Sequence, residues 1–273
     1  MQAQALLIAP APVDGYPPVH ALARLLARAG VAVTVLSTPR RSGTRIAFVE
    51  PGVHTIALPV YTGRFARIPR LFSVLRAIRA ARRETAPTIE VAYDPLAMLG
   101  SDLAPHRPPL RIAHFHEALA LDRWVERRLR RAIHGFDQVV VPDAARGIAL
   151  RDQLALPVLP LVFPNYPPLA TAIRPRVSRD TVEVVYCGVL GRGQNLPMIL
   201  RSVPQWPANV RLTLIGDDTT GLAQSLRAQV AQAGLDDRVT FTGWLDLADL
   251  PARLAQADLG ICLLDDRPAQ FRT

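Results

Sequence analysis

The sequence contains no lysine: all 32 of its basic residues are arginine. Any phosphate clamp in this protein is therefore built from guanidinium groups or backbone amides, not from ammonium point charges. Cysteine is scarce too, with only Cys187 and Cys262 present, each inside an apolar run that reads as a strand. Two such thiols argue against a disulfide framework or a cysteine-based metal site and are expected to be buried core groups. No apolar run reaches the roughly 18–20 residues that a membrane-spanning helix needs. The opening MQAQALLIAPAP has neither the basic flank nor the cleavage site of a secretory signal, so a cytoplasmic protein is expected.

What is present is apolar bulk and an uneven charge. With 273 residues, 49% of them hydrophobic, the chain can bury the core of one large or two ordinary domains. Residues 1–170 hold 21 Arg against 12 Asp and Glu, whereas residues 171–273 hold 11 against 11. A basic first half beside a neutral second half points to an anionic partner for the first, such as phospholipid, a lipid diphosphate or nucleic acid. Nucleic acid is disfavoured, because aromatics are few in the basic stretches and no nucleic-acid module is recognisable.

Short runs rich in Val, Ile and Leu alternate with longer stretches of helical period, which predicts an α/β protein with doubly wound parallel sheets wrapped by helices. In the first half, strands are expected at Ala5–Ala9, Val31–Leu36, Ile46–Val49, His54–Leu58, Thr88–Tyr93, Arg111–Phe115, Gln138–Val141 and Pro157–Leu161. Helices are expected at Pro18–Ala29, Phe65–Arg83, Ala120–Ile133 and Ala144–Gln153. The proline-dense segment FPNYPPLATAIRPR, Phe163–Arg176, lacks periodicity and reads as a connection between domains. The division is set at 1–166 and 167–273. A second alternation then runs through strands at Val182–Cys187, Val210–Ile215, Val239–Thr242 and Leu259–Leu263, with helices at Leu196–Val203, Leu222–Ala233 and Leu247–Gln256. Four strands are fewer than a doubly wound domain usually has, so the sequence is expected to be a piece that ends within its second domain.

Two kinds of motif carry chemistry. In the second half the strand Val182–Cys187 runs into Gly188, Gly191, Arg192 and Gly193 and then a helix. Glycines there let the backbone come close to a diphosphate, whose charge free amides favour. The spacing G-x-x-G-x-G differs from the nicotinamide fingerprint and lies away from the first strand, which disfavours a dehydrogenase. Gly216 and the pair Gly243–Trp244 follow the next two strands at their carboxyl ends, where open α/β sheets bind ligands. In the first half, strand ends place Asp94, His116 and Glu117, a set able to position an acceptor hydroxyl and take its proton. The loop PAPVDGYP after the first strand contributes Asp14 and Gly15. His114 and His116 share a strand face, but without a spaced third ligand they predict no metal site.

In order along the chain, FHE, VVVPDAARGIAL, VFPNYP, VEVVYCGVLGRGQNLPMIL, LTLIGDD and VTFTGWLDLADLPARLAQADLGICLL resemble the segments of family 4 glycosyltransferases of the GT-B type. The likeness runs over nearly the whole chain, and it is the ordered set that carries it. It implies two Rossmann-like domains, an N-terminal acceptor-side domain and a partial C-terminal donor domain. It also implies a retaining transfer of a UDP- or GDP-linked sugar without a metal or other cofactor. Arg192 is then expected to meet the charge growing on the leaving diphosphate. Gly188, Gly191, Gly193, Gly216, Gly243 and Trp244 are expected around the donor, and Asp14 and Gly15 in the acceptor-side loop. Two departures stand out: Asp94 occupies a strand end where many members carry histidine, and Gln194 a place where another basic residue is usual.

The stretch Arg64–Arg83 has Phe72, Leu75 and Ile78 at helical spacing, with Arg76, Arg79 and Arg83 on another face. Such a basic helix can lie on an anionic membrane, and Arg127, Arg128, Arg130 and Arg131 form a second basic cluster. The sequence thus predicts a bacterial cytoplasmic enzyme held peripherally at the inner face of the plasma membrane, acting on a lipid-linked or saccharide acceptor in cell-surface polysaccharide or glycolipid synthesis. Two other readings stay open: a non-catalytic or inert GT-B relative serving as a binding or scaffolding protein, and an epimerase acting on a nucleotide sugar.

Overall fold

Strand β1 (Gln4–Ala9) is apolar on both faces and sits at the middle of the first sheet, as an alternation between two separate cores requires. Leu6 and Ile8 enter one core, while Ala5, Leu7 and Ala9 enter the other. The computed structural model describes residues 3–13, 16–39, 50–61, 67–116, 123–166, 180–216, 221–246 and 249–263. The chain divides into two compact units, Met1–Leu169 and Ala170–Phe271, the first of which also takes in Arg272–Thr273.

The first unit continues through α1 (Pro17–Arg28), β2 (Ala32–Ser37), β3 (Val53–Ala57), α2 (Arg67–Thr85), β4 (Ile89–Tyr93), α3 (Asp94–Leu103), β5 (Leu110–His114), α4 (Arg123–Ile133), β6 (Gln138–Val141), α5 (Ala144–Leu154) and β7 (Leu161–Val162). Its strands are all parallel and lie in the order β3-β2-β1-β4-β5-β6-β7. Strand order therefore reverses beside β1, and the crevice at the carboxyl ends of β1 and β4 is the switch point of the sheet.

The second unit runs β8 (Val182–Cys187), α6 (Leu196–Ser202), β9 (Val210–Ile215), α7 (Leu222–Gln232), β10 (Val239–Gly243), α8 (Leu250–Leu254) and β11 (Leu259–Gly260). Its parallel sheet has the order β10-β9-β8-β11, so the reversal falls between β8 and β11. Val184, Tyr186, Leu212, Leu214, Leu226 and Val230 form its centre.

Four differences from the sequence reading have physical causes. The strand expected at Pro157–Leu161 begins only at Leu161, because Pro157 and Pro160 have no N–H to give to β6. Helix α3 starts directly at Asp94, in a stretch for which the sequence reading named no element; it packs on α2 through Gly100, where an added Cβ would meet Val74 Cγ1 at 3.1 Å. Cys187 and Cys262 are both exposed instead of buried, since one ends β8 and the other lies past β11, each at the rim of the sheet. On α2 the core face is Val74, Leu75, Ile78 and Ala81, while Phe72 is 65% exposed and shares the outer stripe with Arg76, Arg79 and Arg83. The expected strand Ile46–Val49, and parts of the segments Arg64–Arg83, Ala120–Ile133 and Phe163–Arg176, lie outside the described residues.

Not all of the arginine excess faces solvent. Arg82 of α2 is buried, and donates from Nε to Glu90 Oε2 and from Nη2 to Glu90 Oε1, both at 2.8 Å. Arg111 of β5 is also buried and reaches Ser101 Oγ at 2.7 Å, while the Ser101 hydroxyl donates to Glu90. This internal network ties α2, β4, α3 and β5 together, with both guanidiniums gathered around the single Glu90 carboxylate.

Candidate active site

At the switch point of the first sheet, the turn after β1 is pinned by its neighbour β2. Ser37 Oγ accepts from the Val13 amide at 3.0 Å and donates to the Ala11 carbonyl at 2.6 Å. Arg70 of α2 donates to the Pro10 carbonyl from the other side. Tyr16, just before α1, is thereby brought over the end of β4, where its hydroxyl donates to Asp94 Oδ1 at 3.4 Å. That contact spans the crevice between β1 and β4. Asp94 itself has φ of 71°, a left-handed conformation that is uncommon for a residue other than glycine and recurs at ligand-binding positions.

Beneath Tyr16 lies a cluster of rings. Tyr93 ends β4 and pairs in register with His114 at the end of β5. Its ring stacks on His116 with centroids 5.5 Å apart and planes at 10°, and the His114 and His116 rings are 4.2 Å apart. Tyr16 meets His116 edge-on at 5.2 Å, and Phe163 closes the far side of His114 at 6.3 Å. Among the described residues, Tyr93 Oη, His114 Nε2 and His116 Nε2 are buried without a hydrogen-bond partner.

Burial decides the protonation of this cluster. It pushes His114 down to about 4. His116 is pushed down to about 3, first by burial and then by the neighbouring His114 and Arg146. Burial also raises the Tyr93 phenol well above its ordinary value. At neutral pH the cluster is thus uncharged, with two imidazoles able to accept or donate a hydrogen bond to a ligand hydroxyl.

Of the expected first-half residues, Asp94 and His116 meet at this crevice through Tyr16. Glu117, Asp14 and Gly15 lie outside the described residues. Tyr16 and Tyr93 were not anticipated, and His114 only as half of a metal pair. They come together because β1, β4 and β5 are neighbours, with Tyr93 in register with His114. Among the described residues no group of three or more His, Cys, Asp or Glu converges on a metal position.

In the second unit the expected glycines line up along the carboxyl edge of the sheet. The Gly188 amide donates to Ile215 O, and the Gly216 amide to Gly243 O, each at 3.0 Å, so one row runs across β8, β9 and β10. Gly216 presses on this row so closely that an added Cβ would stand 1.7 Å from the Gly188 carbonyl oxygen. The turn after Gly188 is held by the Tyr186 hydroxyl, which donates to Val189 O at 2.8 Å. Gly191 is buried in that turn. Gly193 faces open space, since an added Cβ there would meet nothing within 4 Å. Arg192 opens a single 3-10 turn over Arg192–Gln194, its side chain lying outside the described part. Trp244 is partly exposed beside Gly243, and its indole N–H donates to Asp246 Oδ1 at 3.3 Å. The edge is therefore a backbone shelf with the Tyr186 hydroxyl packed against Gly188 and the Trp244 ring beside Gly243.

Comparison with known proteins finds a family similar to the segment that carries this shelf. Residues 181–271, a third of the chain, match the family described as glycosyl transferases group 1. No curated protein matches the chain. Among solved structures, the sucrose-phosphate synthase of Thermosynechococcus elongatus superposes with a TM-score of 0.75 at 18% identity, over 95% of this chain and 75% of that one. HepE of Anabaena, in complex with UDP and glucose, gives 0.71 at 16% identity, over 96% and 74%. The lipopolysaccharide outer core galactosyltransferase WaaB gives 0.59 at 13% identity, over 96% and 74%. The fold of the chain is that of GT-B glycosyltransferases.

Proposed function

We propose that this protein is a retaining glycosyltransferase, moving a sugar from a UDP- or GDP-linked donor to a hydroxyl of a lipid-linked or saccharide acceptor without a metal. The observation that carries the reading is the coincidence of the Gly188, Gly216 and Gly243 row with the segment that matches the group 1 glycosyl transferases. Without side chains, that edge lets a diphosphate approach the backbone, and Trp244 supplies an apolar surface beside it. HepE, similar in fold, binds UDP and glucose, and WaaB acts on a lipopolysaccharide core. The first supports a nucleotide-sugar donor and the second a cell-surface acceptor.

In this mechanism the donor's diphosphate lies over the turn that begins at Gly188. Charge growing on it as the sugar departs is met by backbone amides and by Arg192, with no lysine available for the task. On the first unit, Asp94, His116 and Glu117 position the acceptor hydroxyl. The neutral His116 ring orients it, and a carboxylate takes the proton. The basic outer stripe of α2 holds the enzyme peripherally at an anionic membrane, where a lipid-linked acceptor would be found.

Calorimetric titration of the chain with UDP and GDP tests the donor half, with binding of one nucleotide in the absence of metal expected. Incubation with UDP- and GDP-sugars should then give transfer or slow hydrolysis with retained anomeric configuration. Absence of both binding and turnover in a form of the protein that includes any sequence continuing past Thr273 would overturn the reading. Epimerised donor as the sole product would replace it with the epimerase.

A further inference from the structure

One cysteine of the chain ends β8 and the other lies two residues past β11, its neighbour at the switch point of the second sheet. β11 pairs with β8 in the parallel register Leu259 to Val184 and Gly260 to Val185. The Ile261 amide donates to the Val185 carbonyl at 2.8 Å, the ladder bond that completes the Gly260–Val185 pair. Carried forward two residues beyond Gly260, this register sets Cys262 opposite Cys187. Paired residues on neighbouring parallel strands point to the same face. Their strands lie about 4.8 Å apart, inside the roughly 4.4–6.8 Å range of Cα separations that a disulfide bridges. Both cysteines are free and exposed. Tyr186, adjacent to Cys187 on β8, is pushed up to about 12, first by burial and then by Cys262 and Cys187.

We infer that Cys187 and Cys262 form a vicinal dithiol at the β8–β11 rim, a thiol–disulfide modification site that closes to an intramolecular disulfide. The step balances with a small-molecule disulfide as oxidant. One thiolate attacks a sulfur of the oxidant and expels a thiolate, leaving a mixed disulfide on the chain. The second cysteine, after losing its proton, attacks the chain-side sulfur and expels a second small thiol. Two protein thiols and one oxidant disulfide thus give one protein disulfide and two small thiols. Burial raises the Cys187 thiol above its ordinary value, which lowers its thiolate fraction. The closed bridge would tie β11 to β8 directly beside Gly188. This inference stands on the register of the second unit alone, so its failure leaves the nucleotide-sugar reading untouched.

The test treats the folded chain with oxidised glutathione and follows its thiols. Expected are loss of both titratable thiols, no retained glutathione, a chain that stays monomeric without reductant, and a cross-link joining the arginine-bounded peptides 180–192 and 254–272. Cys187→Ser and Cys262→Ser, both at exposed positions, should fold normally and each retain one stable glutathione adduct on the remaining thiol. A wild-type chain that accumulates two glutathione adducts, or that links only into dimers, would overturn the inference. Measuring UDP affinity of the reduced and bridged forms then asks separately whether the bridge controls the donor edge.

Discussion

At the scale of single residues, the two edges obey different constraints. Gly216 has no alternative: its absent Cβ is what allows the Gly188 carbonyl to lie against it. Gly216→Ala is expected to destabilise the second unit by about 3 kcal/mol in a urea titration, as overpacking against backbone cannot relax by moving a side chain. Gly193→Ala, into open space, should stay within about 0.5 kcal/mol of wild type in the same urea titration. A loss of UDP affinity in Gly193→Ala without loss of stability would then mark a backbone that approaches ligand. In the ring cluster the sign follows from proton binding. His114 is held near 4 in the folded chain and returns to 6.5 on unfolding, so below neutral pH the unfolded state binds the extra proton. Stability carried by the neutral ring is present above pH 6.5 and is lost as pH falls toward 4, by about 2 kcal/mol between pH 7 and pH 5. Replacing the ring in His114→Phe should remove about that much of the acid sensitivity in urea midpoints at the two pH values. An unchanged pH slope would show that the imidazole is not kept neutral.

At the scale of elements, α2 shows how periodicity can be right and the facing wrong. The spacing located the helix, but grouped Phe72 with Leu75 and Ile78. In the structure the core face passes through Val74, Leu75, Ile78 and Ala81 instead. Ile68 and Phe72 are left on the outer stripe with Arg76, Arg79 and Arg83, apolar at its start and basic at its end. Such a stripe suits an interfacial helix, with each basic residue adding about 1 kcal/mol of attraction to an anionic surface. Replacing Arg76, Arg79 and Arg83 together by Gln should lower partition onto phosphatidylserine vesicles by about 3 kcal/mol, roughly a hundredfold, with little change in stability because all three are exposed. Unaltered vesicle partition in a sedimentation assay would remove α2 from the contact. The strands of both sheets were legible because a doubly covered parallel strand reads as a continuous apolar run. Helix α3 was not, since Asp94-Pro95 resembles a strand end and Gly100 and Ser101 are poor helix formers kept by their packing against α2 and Glu90. The glycine row was visible as strand-end glycines, whereas the Tyr16, Tyr93 and His114 cluster depends on β1, β4 and β5 being neighbours, which no local pattern encodes.

For the whole molecule, the division of labour proposed here coincides with a division of cores. Every residue of the two apolar clusters in the first sheet precedes Leu161, and every residue of the third cluster follows Asp180. Charge divides in the same way, with the arginine excess confined to residues 1–170. A ligand that binds one folded unit stabilises that unit against unfolding, and only as far as coupling allows does it stabilise the other. The three tryptophans make this measurable, because Trp124 lies on α4 of the first unit while Trp206 packs on the core of the second and Trp244 borders its glycine row. In a Trp124→Phe chain, intrinsic fluorescence reports the second unit, and UDP at a hundred times its dissociation constant should stabilise that urea transition by about 2.7 kcal/mol. In a chain carrying Trp206→Phe and Trp244→Phe, the transition seen through Trp124 should move far less. A nucleotide shift seen through Trp124 alone would instead place the diphosphate at the crevice between β1 and β4, and would exchange the donor and acceptor roles of the two sheets.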